Sequence, residues 1–405
     1  MNNINNIMNF DKSYINIVQG LHETSNPLEV LYFYRSNIDF MKKNNVKIII
    51  SDDNIHNASI FFDDLFAGHE KYLKSALIGN NFIFYSPKII ASYEITRKIP
   101  ISIDRSIAID TNVASIIGRY LDGKKIDSEQ SEILQLLLNV VSKEKITLDF
   151  LPYLIENLCK NNVGVESILR NTNSIIEFFN LSIESSSEAH NFILKYKNDP
   201  NFKNDILKRF SLFYLILLKI IHFNKKLGSE EHKVKALVDF MDNKIFLMFK
   251  RELIIGVEYF KKVKKLKFFN KVNTKDINEL LKTISNMAWD LTLCRIVLEH
   301  NFTILPDKGA DFFVPFFLTF DKGLSEIIDL YPLKAILYFG NDNYSMQAIP
   351  AIDVDNAILK RYGLETYFME EAINKREKIY KRLGNKYLSH ICNLIEIAER
   401  EIQEI

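Results

Sequence analysis

Apolar residues recur along most of this chain at spacings of three and four, which is the pattern of helices that bury one face. The pattern is strongest in Ile206–Phe223, Val234–Phe249 and Glu252–Lys267. A further long helix is predicted over residues 276–300, and a charged amphipathic helical tail over Ala372–Ile405. The periodicity therefore predicts a mainly helical protein, with a long helical insertion in its middle.

Short apolar runs rich in β-branched and aromatic residues interrupt the helical pattern and predict strands. They are Val46–Ser51, Phe82–Tyr85, Ser106–Ile109, Lys145–Leu151, Phe312–Phe317 and Leu333–Phe339. The runs at 106 and 145 are each followed by helical periodicity, at Val113–Leu121 and Tyr153–Lys160. Strands that alternate with helices between 106 and 340 predict a parallel sheet in an α/β layer fold.

The composition narrows the class of protein. With 405 residues, 47% hydrophobic and 25% charged, the chain is long enough for two or three domains and ordinary for a folded globular protein. Only 13 glycines and 9 prolines are present, too few for an all-β protein built from tight turns. We predict an α/β region of unknown role at 1–105, a core at 106–340 with a helical insertion at about 190–275, and a helical tail at 341–405.

Charge and cysteine spacing give no sign of a membrane or a disulfide framework. The net charge is +1, so no whole-molecule field points to a particular partner. Cys159, Cys294 and Cys392 are far apart and are expected to be buried thiols in a reducing compartment. The first residues lack the basic and apolar regions of a signal peptide, and the most apolar run, Phe210–Phe223, contains Lys219 and is too short to span a bilayer. We expect a cytoplasmic protein.

Four acidic residues lie where an α/β sheet places its ligands. Asp110 and Asp321 each end an apolar strand, and Glu156 lies in the helix just after another. Asp290 lies in the long helix before the last strands, beside Trp289. Carboxylates that converge from different elements repel one another unless a divalent cation lies between them, and oxygen ligands suit Mg²⁺ or Mn²⁺. Such a site supports metal-assisted hydrolysis of a phosphodiester.

The sequence around these four residues resembles PIN-like nuclease domains, a family related to the flap endonucleases. The resemblance lies in the run AIDTN at Ala108–Asn112, in LPYLIENL around Glu156, in MAWDLTLCR around Asp290 and in FFLTFDKGL around Asp321, in the family's order. It covers about 106–185 and 275–340. The longer amino-terminal region, the insertion and the tail depart from the compact members of the family.

The resemblance implies a Rossmann-like PIN-type α/β/α sandwich with a parallel sheet, and a metal-dependent endoribonuclease that cuts single-stranded RNA. Asp110, Glu156, Asp290 and Asp321 would hold Mg²⁺ or Mn²⁺, with Asn112 and Thr319 as polar neighbours. A toxin or antiviral defence effector with a regulatory protein partner would fit the family, and the tail helices leave a homo-oligomer open. The alternatives are a structure-specific DNA nuclease of flap-endonuclease type and a non-catalytic RNA-binding or scaffold protein.

Each carboxylate also has a purely structural explanation. Asp110 and Asp321 can be helix caps or turn formers, and Glu156 can be a solvated helix residue. Asp290 can pair with Arg295 on a partly exposed helix face. These structural roles remain open until the side chains are placed.

A lysine-rich stretch, Tyr259–Lys271, is the candidate nucleic-acid contact. Lys261, Lys262, Lys264 and Lys265 alternate with aromatic residues there, so the stretch could follow phosphates and stack bases. The alternative is a solvated helix face whose aromatic residues belong to the core.

Overall fold

The computed structural model describes residues 12–24, 26–51, 72–74, 82–96, 102–144, 146–160, 164–181, 183–262, 265–297, 310–340, 345–351 and 354–404. Over these ranges the chain is a mixed α/β protein dominated by helix, as the hydrophobic pattern predicts. Its strands are β1 Lys47–Ser51, β2 Leu73–Lys74, β3 Phe82–Tyr85, β4 Ile103–Ile109, β5 Thr147–Asp149, β6 Phe312–Leu318, β7 Leu333–Phe339 and β8 Ser345–Pro350.

The described residues outside the strands form mostly α-helices. They are α1 Lys12–Glu23, α2 Pro27–Ser36, α3 Ile38–Lys43, α4 Pro87–Thr96, α5 Thr111–Leu121, α6 Ser128–Glu144, α7 Leu151–Cys159, α8 Val165–Phe178, α9 Ile183–Tyr196, α10 Pro200–Lys226, α11 Glu230–Phe240, α12 Lys250–Lys261, α13 Ile277–Arg295, α14 Lys322–Asp329, α15 Glu370–Leu383 and α16 Tyr387–Gln403. Short 3₁₀ segments include Lys267–Asn273, and a π-helical turn spans Met241–Ile245.

One sheet carries the predicted parallel strands, in the order β2-β6-β4-β5. Strand β4 pairs in parallel with β5 and with β6, while the short β2 runs antiparallel at the edge. The register joins Ile109 to Leu318, so β4 and β6 end side by side. Helices α5, α7 and α14 each begin within a few residues of a strand end in this sheet. This edge is where ligands bind in open α/β sheets.

A second sheet is antiparallel throughout, in the order β3-β1-β7-β8. Ile48 and Ile50 of β1 pack with α1 and α2, whereas Ile49 points the other way, into the core of the parallel sheet. The rings of Phe84 and Phe312 meet across the two sheets, with centroids 4.8 Å apart. The 1–105 region thus shares a core with the strands that carry Asp110 and Asp321.

The helical insertion and the tail share a separate core. Helix α10 packs against α13 and α16, and the cluster that joins them includes Leu215, Ile284 and Ile391. The amphipathic pattern from residue 372 onward forms α15 and α16, which are separated at Gly384, where φ is +47°. Residues 345–350, predicted to belong to the helical tail, instead form β8. Because α16 buries its apolar face on α10, the tail is part of the folded molecule. No helix among the described ranges is long and apolar enough to cross a lipid bilayer.

Five further predictions about individual segments and side chains are wrong in whole or in part. Leu333–Phe339 is a strand, but it belongs to the antiparallel sheet because its partners are β1 and β8. The helix predicted over Val234–Phe249 ends at Phe240, where a π turn begins, and Phe246 after that turn has a φ of +61°. The helix predicted over Glu252–Lys267 ends at Lys261, because the next residue, Lys262, has a φ of +56°. The strand predicted at 145–151 is only Thr147–Asp149, because α7 already begins at Leu151. Cys392 is exposed, whereas Cys159 and Cys294 are buried as expected.

Candidate functional site

Asp110 and Thr319 lie next to each other at the ends of β4 and β6. The backbone N–H of Asp110 donates to the carbonyl of Leu318 at 3.2 Å, which continues the ladder one residue past the strands. Thr319 donates its hydroxyl to Asp110 Oδ2 at 2.8 Å and accepts the N–H of Asp321 at 3.1 Å. Asp110 is 2% exposed and Thr319 is fully buried. A single hydroxyl therefore connects the two aspartates that end neighbouring strands.

The two strand-end aspartates differ in what their side chains do. Asp321 is the N-cap of α14, and its Oδ1 accepts the N–H groups of Gly323 and Leu324 at 2.6 and 3.0 Å. Asp110 lies at the equivalent position before α5, yet its side chain makes no capping hydrogen bond. It accepts instead from Thr319 and, at 3.3 Å, from the Asn112 amide. The structural explanation as a helix cap thus holds for Asp321 and fails for Asp110.

Glu156 reaches the same edge from α7. Its Oε2 accepts the hydroxyl of Thr111, and its Oε1 accepts from Lys160, one turn later on the helix. The Glu156 side chain is 7% exposed, so it is not the solvated helix residue of the structural explanation. The Lys160 ammonium also lies 5.9 Å from the centre of the Trp289 ring. Both oxygens of Glu156 therefore face partners within the site.

Asp290 lies on α13, and the side chains around it are acidic. The pKa of Asp290 is well above its ordinary value because of burial first, and then because of the charges of Asp110, Asp321 and Glu156; Lys160 opposes the rise. Its carboxylate makes no hydrogen bond or ion pair with any residue in the described ranges. The expected alternative, pairing with Arg295, is wrong, because Arg295 binds both oxygens of the buried Glu252, at 3.0 and 2.7 Å.

The charges of these carboxylates influence one another, since Asp290 responds to the other three and Asp110 to Glu156. Burial, and next the charge of Glu156, raise the pKa of Asp110 from 3.8 to about 6, against the lowering effect of its hydrogen bonds. Like charges raise a carboxyl pKa in this way only when they are close. Residues far apart in the chain are thus brought together at the edge that the strand pattern indicates.

The donor set has the chemistry of a divalent-cation site, although the side chains are not gathered into a coordination shell. In the described part of the chain, no three His, Cys, Asp or Glu residues are arranged to hold a metal ion. The carboxylates nonetheless supply hard oxygen donors, and the pKa values of two of them are raised by burial and, second, by the negative charge of neighbouring carboxylates. A divalent cation would relieve that repulsion, so the residues present fit Mg²⁺ or Mn²⁺.

Two residues of the site were missed by the reasoning from sequence. Thr111 is the middle residue of the Asp-Thr-Asn run and holds Glu156. Lys160 is four positions after Glu156, a spacing that pairs side chains on one helix face, and this was the available signal. The contact of Thr111 with Glu156 does not follow from the sequence alone, because it depends on which helix lies against which strand end, whereas the pair of Glu156 and Lys160 is local to one helix.

The lysine-rich stretch lies beside α14, and its phenylalanines are in the core, while Tyr259 is partly exposed and stacks on Phe269. Phe260, Phe268 and Phe269 are 3 to 6% exposed, so they cannot stack bases. Lys261 pairs with Glu258 at 2.6 Å, while Lys262 and Lys265 are exposed; Lys264 lies outside the described residues. The backbone of Phe268 lies so close to Gly323 that a Cβ there would be 2.8 Å away. The stretch therefore borders the helix that Asp321 caps.

Comparison with known proteins adds no relative. No protein-family model matches the chain, and neither does any curated protein or solved structure. The functional inference therefore rests on the residues of the site themselves.

Proposed function

We propose that this protein is a metal-dependent endoribonuclease that hydrolyses phosphodiester bonds of single-stranded RNA, using Mg²⁺ or Mn²⁺. The observation that carries the proposal is the convergence of Asp110 and Glu156 on the carboxyl end of the parallel strands, where both are buried and accept hydroxyl groups from Thr319 and Thr111. Burial, and next the charges of acidic neighbours, raise the pKa of Asp110 and of Asp290. Charged carboxylates in such surroundings are costly for folding alone, which favours a function that needs them.

In this proposal the acidic residues bind the metal ion and the neighbouring polar residues position them. Asp110, Glu156, Asp290 and Asp321 would hold the cation, which when bound activates a water molecule and neutralises charge on the phosphate. Thr319 and Asn112 both donate to Oδ2 of Asp110. Thr111 holds Glu156 from the first residue of α5. Asp110 and Glu156 are thereby oriented before a substrate arrives.

Further parts of the proposal rest on the resemblance. The parallel strands β4, β5 and β6, with the helices that follow them, form the PIN-type core in this proposal, and the protein acts in the cytoplasm. The lysine-rich stretch reaches α14 through Lys267, which pairs with Glu326, and through Phe268 beside Gly323. In this proposal Lys261 and the exposed Lys262 and Lys265 contact RNA phosphates. Phosphate contacts of this kind need no base stacking, which agrees with buried aromatic residues in the same stretch.

The test is cleavage of a labelled single-stranded RNA by the wild type and by Asp110→Ala, with Mn²⁺ or with EDTA. We expect cutting only with Mn²⁺, and a loss of at least about a hundredfold in Asp110→Ala. Asp199→Ala is the matched control, because Asp199 caps α10 through its side chain and belongs to no such cluster. A folded wild type that cuts no RNA under any of these conditions would contradict the proposal.

The same assay separates the related nuclease chemistry. Single-stranded DNA and a flapped DNA duplex are run beside the RNA with the same metal. Cutting of the flap with RNA left intact would replace the ribonuclease by a structure-specific DNA nuclease. Binding of RNA without cutting any substrate would favour a non-catalytic RNA-binding protein.

A further inference from the structure

Lys160 is a basic side chain that binds Glu156, and its charge also acts on Asp290. It is the residue directly after α7, and its N–H donates to the Glu156 carbonyl at 2.9 Å, which closes the last turn of the helix. Its ammonium donates to Glu156 Oε1 and lies over the Trp289 ring. It therefore lies where a cation is needed, between α7 and the helix that carries Asp290.

Glu156 is held in a closed arrangement by this contact. One carboxylate oxygen accepts from Lys160 and the other from Thr111. Each oxygen keeps a second lone pair, but a metal ion that approaches Glu156 meets the like charge of the Lys160 ammonium at the same carboxylate. The Lys160 side chain is 32% exposed, so its flexible stem can carry the ammonium into water when Glu156 turns away.

We infer that Lys160 is an internal cation that occupies Glu156 before metal binds and is displaced by the divalent ion, so that it sets the metal affinity of the site. This inference rests on the proposed function. In the metal-free protein Lys160 balances part of the negative charge, and the site stays folded without a metal. When a divalent ion binds, the ammonium is a competitor for Glu156 and a like charge. Lys160 thus lowers metal affinity and stabilises the metal-free state.

A Lys160 that is displaced by metal and a Lys160 that only stabilises α7 predict different effects of its substitution. If Lys160 only stabilised α7, its loss would lower the melting temperature equally with and without metal. A displaced cation predicts opposite effects, because its removal destabilises the metal-free protein and strengthens metal binding. Lys160→Met keeps the length of the side chain and its contact with Trp289 while removing the charge. Lys160→Gln provides a second uncharged variant if the methionine variant does not fold.

The experiment is a titration of the purified full chain with Mn²⁺ by calorimetry, together with melting temperatures in EDTA and in Mn²⁺. We expect the Mn²⁺ Kd of Lys160→Met to fall about tenfold, since a charge-assisted hydrogen bond no longer competes. We expect its melting temperature to be lower than that of the wild type in EDTA and to rise more on adding Mn²⁺. Lys160→Arg keeps the charge and should bind Mn²⁺ within about threefold of the wild type.

Lys381→Met is the matched control, because Lys381 forms the same i, i+4 pair with Glu377 on α15, in no contact with the four carboxylates. It should leave the Mn²⁺ Kd unchanged. If the wild type binds Mn²⁺ and the uncharged Lys160 variants bind it equally or more weakly, the role of Lys160 is overturned and the proposed function stands. If the wild type and Lys160→Met both fail to bind Mn²⁺, the metal site of the proposed function is overturned, and the role of Lys160 with it.

Discussion

At the scale of single residues, three aspartates near one sheet edge have the same side chain but differ in their hydrogen bonds and pKa values. Asp321 caps a helix, Asp110 is held by a threonine and an asparagine, and Asp290 accepts no hydrogen bond from the described residues. Burial and neighbouring negative charge act together on Asp110 and Asp290 and raise the pKa of both. Their charge is thus a cost to the folded protein that a bound cation would remove.

Replacing Asp110 with Asn is expected to stabilise the metal-free protein. Removing the charge of a carboxyl whose pKa is raised to about 6 relieves up to about 3 kcal/mol at neutral pH, while Asn can still accept from Thr319. The melting temperature in EDTA should rise by several degrees, and the gain produced by Mn²⁺ should disappear. Both are measured by differential scanning calorimetry.

The control for this variant is Asp276→Asn. Asp276 is the N-cap of α13, where Asn caps as well as Asp, so the same change of charge should move the melting temperature little. A metal-induced gain that persists in Asp110→Asn would show that Asp110 is not a ligand.

The raised pKa values also predict how stability changes with pH. Between the ordinary pKa of 3.8 and the folded value of about 6, Asp110 binds more protons in the folded than in the unfolded chain, so its contribution to stability falls as pH rises through this window. Asp290 acts in the same direction. Mn²⁺ affinity should rise over the same window, because metal binds the deprotonated carboxylate.

The measurement compares the wild type with Asp110→Asn, in EDTA, from pH 4 to pH 8. The difference in melting temperature should widen as pH rises through about 6, in favour of the variant. A constant difference across that range would mean that Asp110 has an ordinary pKa.

At the scale of secondary-structure elements, the site depends on how closely α14 approaches the 3₁₀ segment Lys267–Asn273. Gly323 lies in the first turn of α14, donates to Asp321 and faces the backbone of Phe268. Glu326 of the same helix accepts the N–H of Lys267 at 2.9 Å and its ammonium at 3.0 Å. The lysine-rich stretch is therefore tied to the helix whose cap is a site residue.

Gly323→Ala tests this approach. Its Cβ would lie 2.8 Å from Phe268 backbone atoms, so α14 or the 3₁₀ segment must shift, and we expect a loss of about 1 to 3 kcal/mol in the free energy of unfolding. Gly118→Ala in α5 is the matched control, since no atom lies within 4 Å of its Cβ position. It should be neutral or stabilising by about 0.5 to 1 kcal/mol. Denaturant unfolding measures both, and equal effects would contradict the close approach.

At the scale of the whole molecule, the last helix closes the helical core. Tyr214 of α10 donates to Glu399 at 2.7 Å, and the buried Lys219 pairs with Glu401, both on α16. The Lys219 ammonium also lies 4.9 Å from the centre of the Phe240 ring. Helix α10 in turn reaches the site, because Phe210 stacks on Trp289 with centroids 4.6 Å apart. The tail thereby supports a wall of the candidate site from a distance.

Glu401→Gln is expected to destabilise the protein by about 2 kcal/mol, because it leaves the buried Lys219 ammonium without its carboxylate. Glu396→Gln on the same helix is the control. Glu396 and its partner Arg400 are both about 70% exposed, so this change should cost no more than about 0.5 kcal/mol. Chemical denaturation of both variants checks the difference, and equal stability would show that Lys219 is adequately solvated.

The local sequence pattern is sufficient to predict the helices and strands that are stabilised by interactions between nearby residues. Apolar periodicity located the strand Phe82–Tyr85 and the buried helix that contains Phe210–Phe223, because side-chain spacing reports which face of an element is buried. It also placed Asp110 and Asp321 at strand ends, next to the starts of helices. These features are written in a few consecutive residues, so no distant contact is needed to find them.

Which elements meet depends on the tertiary structure. It pairs Leu333–Phe339 with β1 in a second sheet, binds Arg295 to Glu252, and brings Thr111 to Glu156 and Lys160 to Trp289. A strand has the same alternation of apolar and polar side chains whichever strand it pairs with. A charged side chain likewise has the same charge whichever opposite charge it binds. Partner choice depends on the packing of surfaces from distant parts of the chain, and that information is absent from any local pattern.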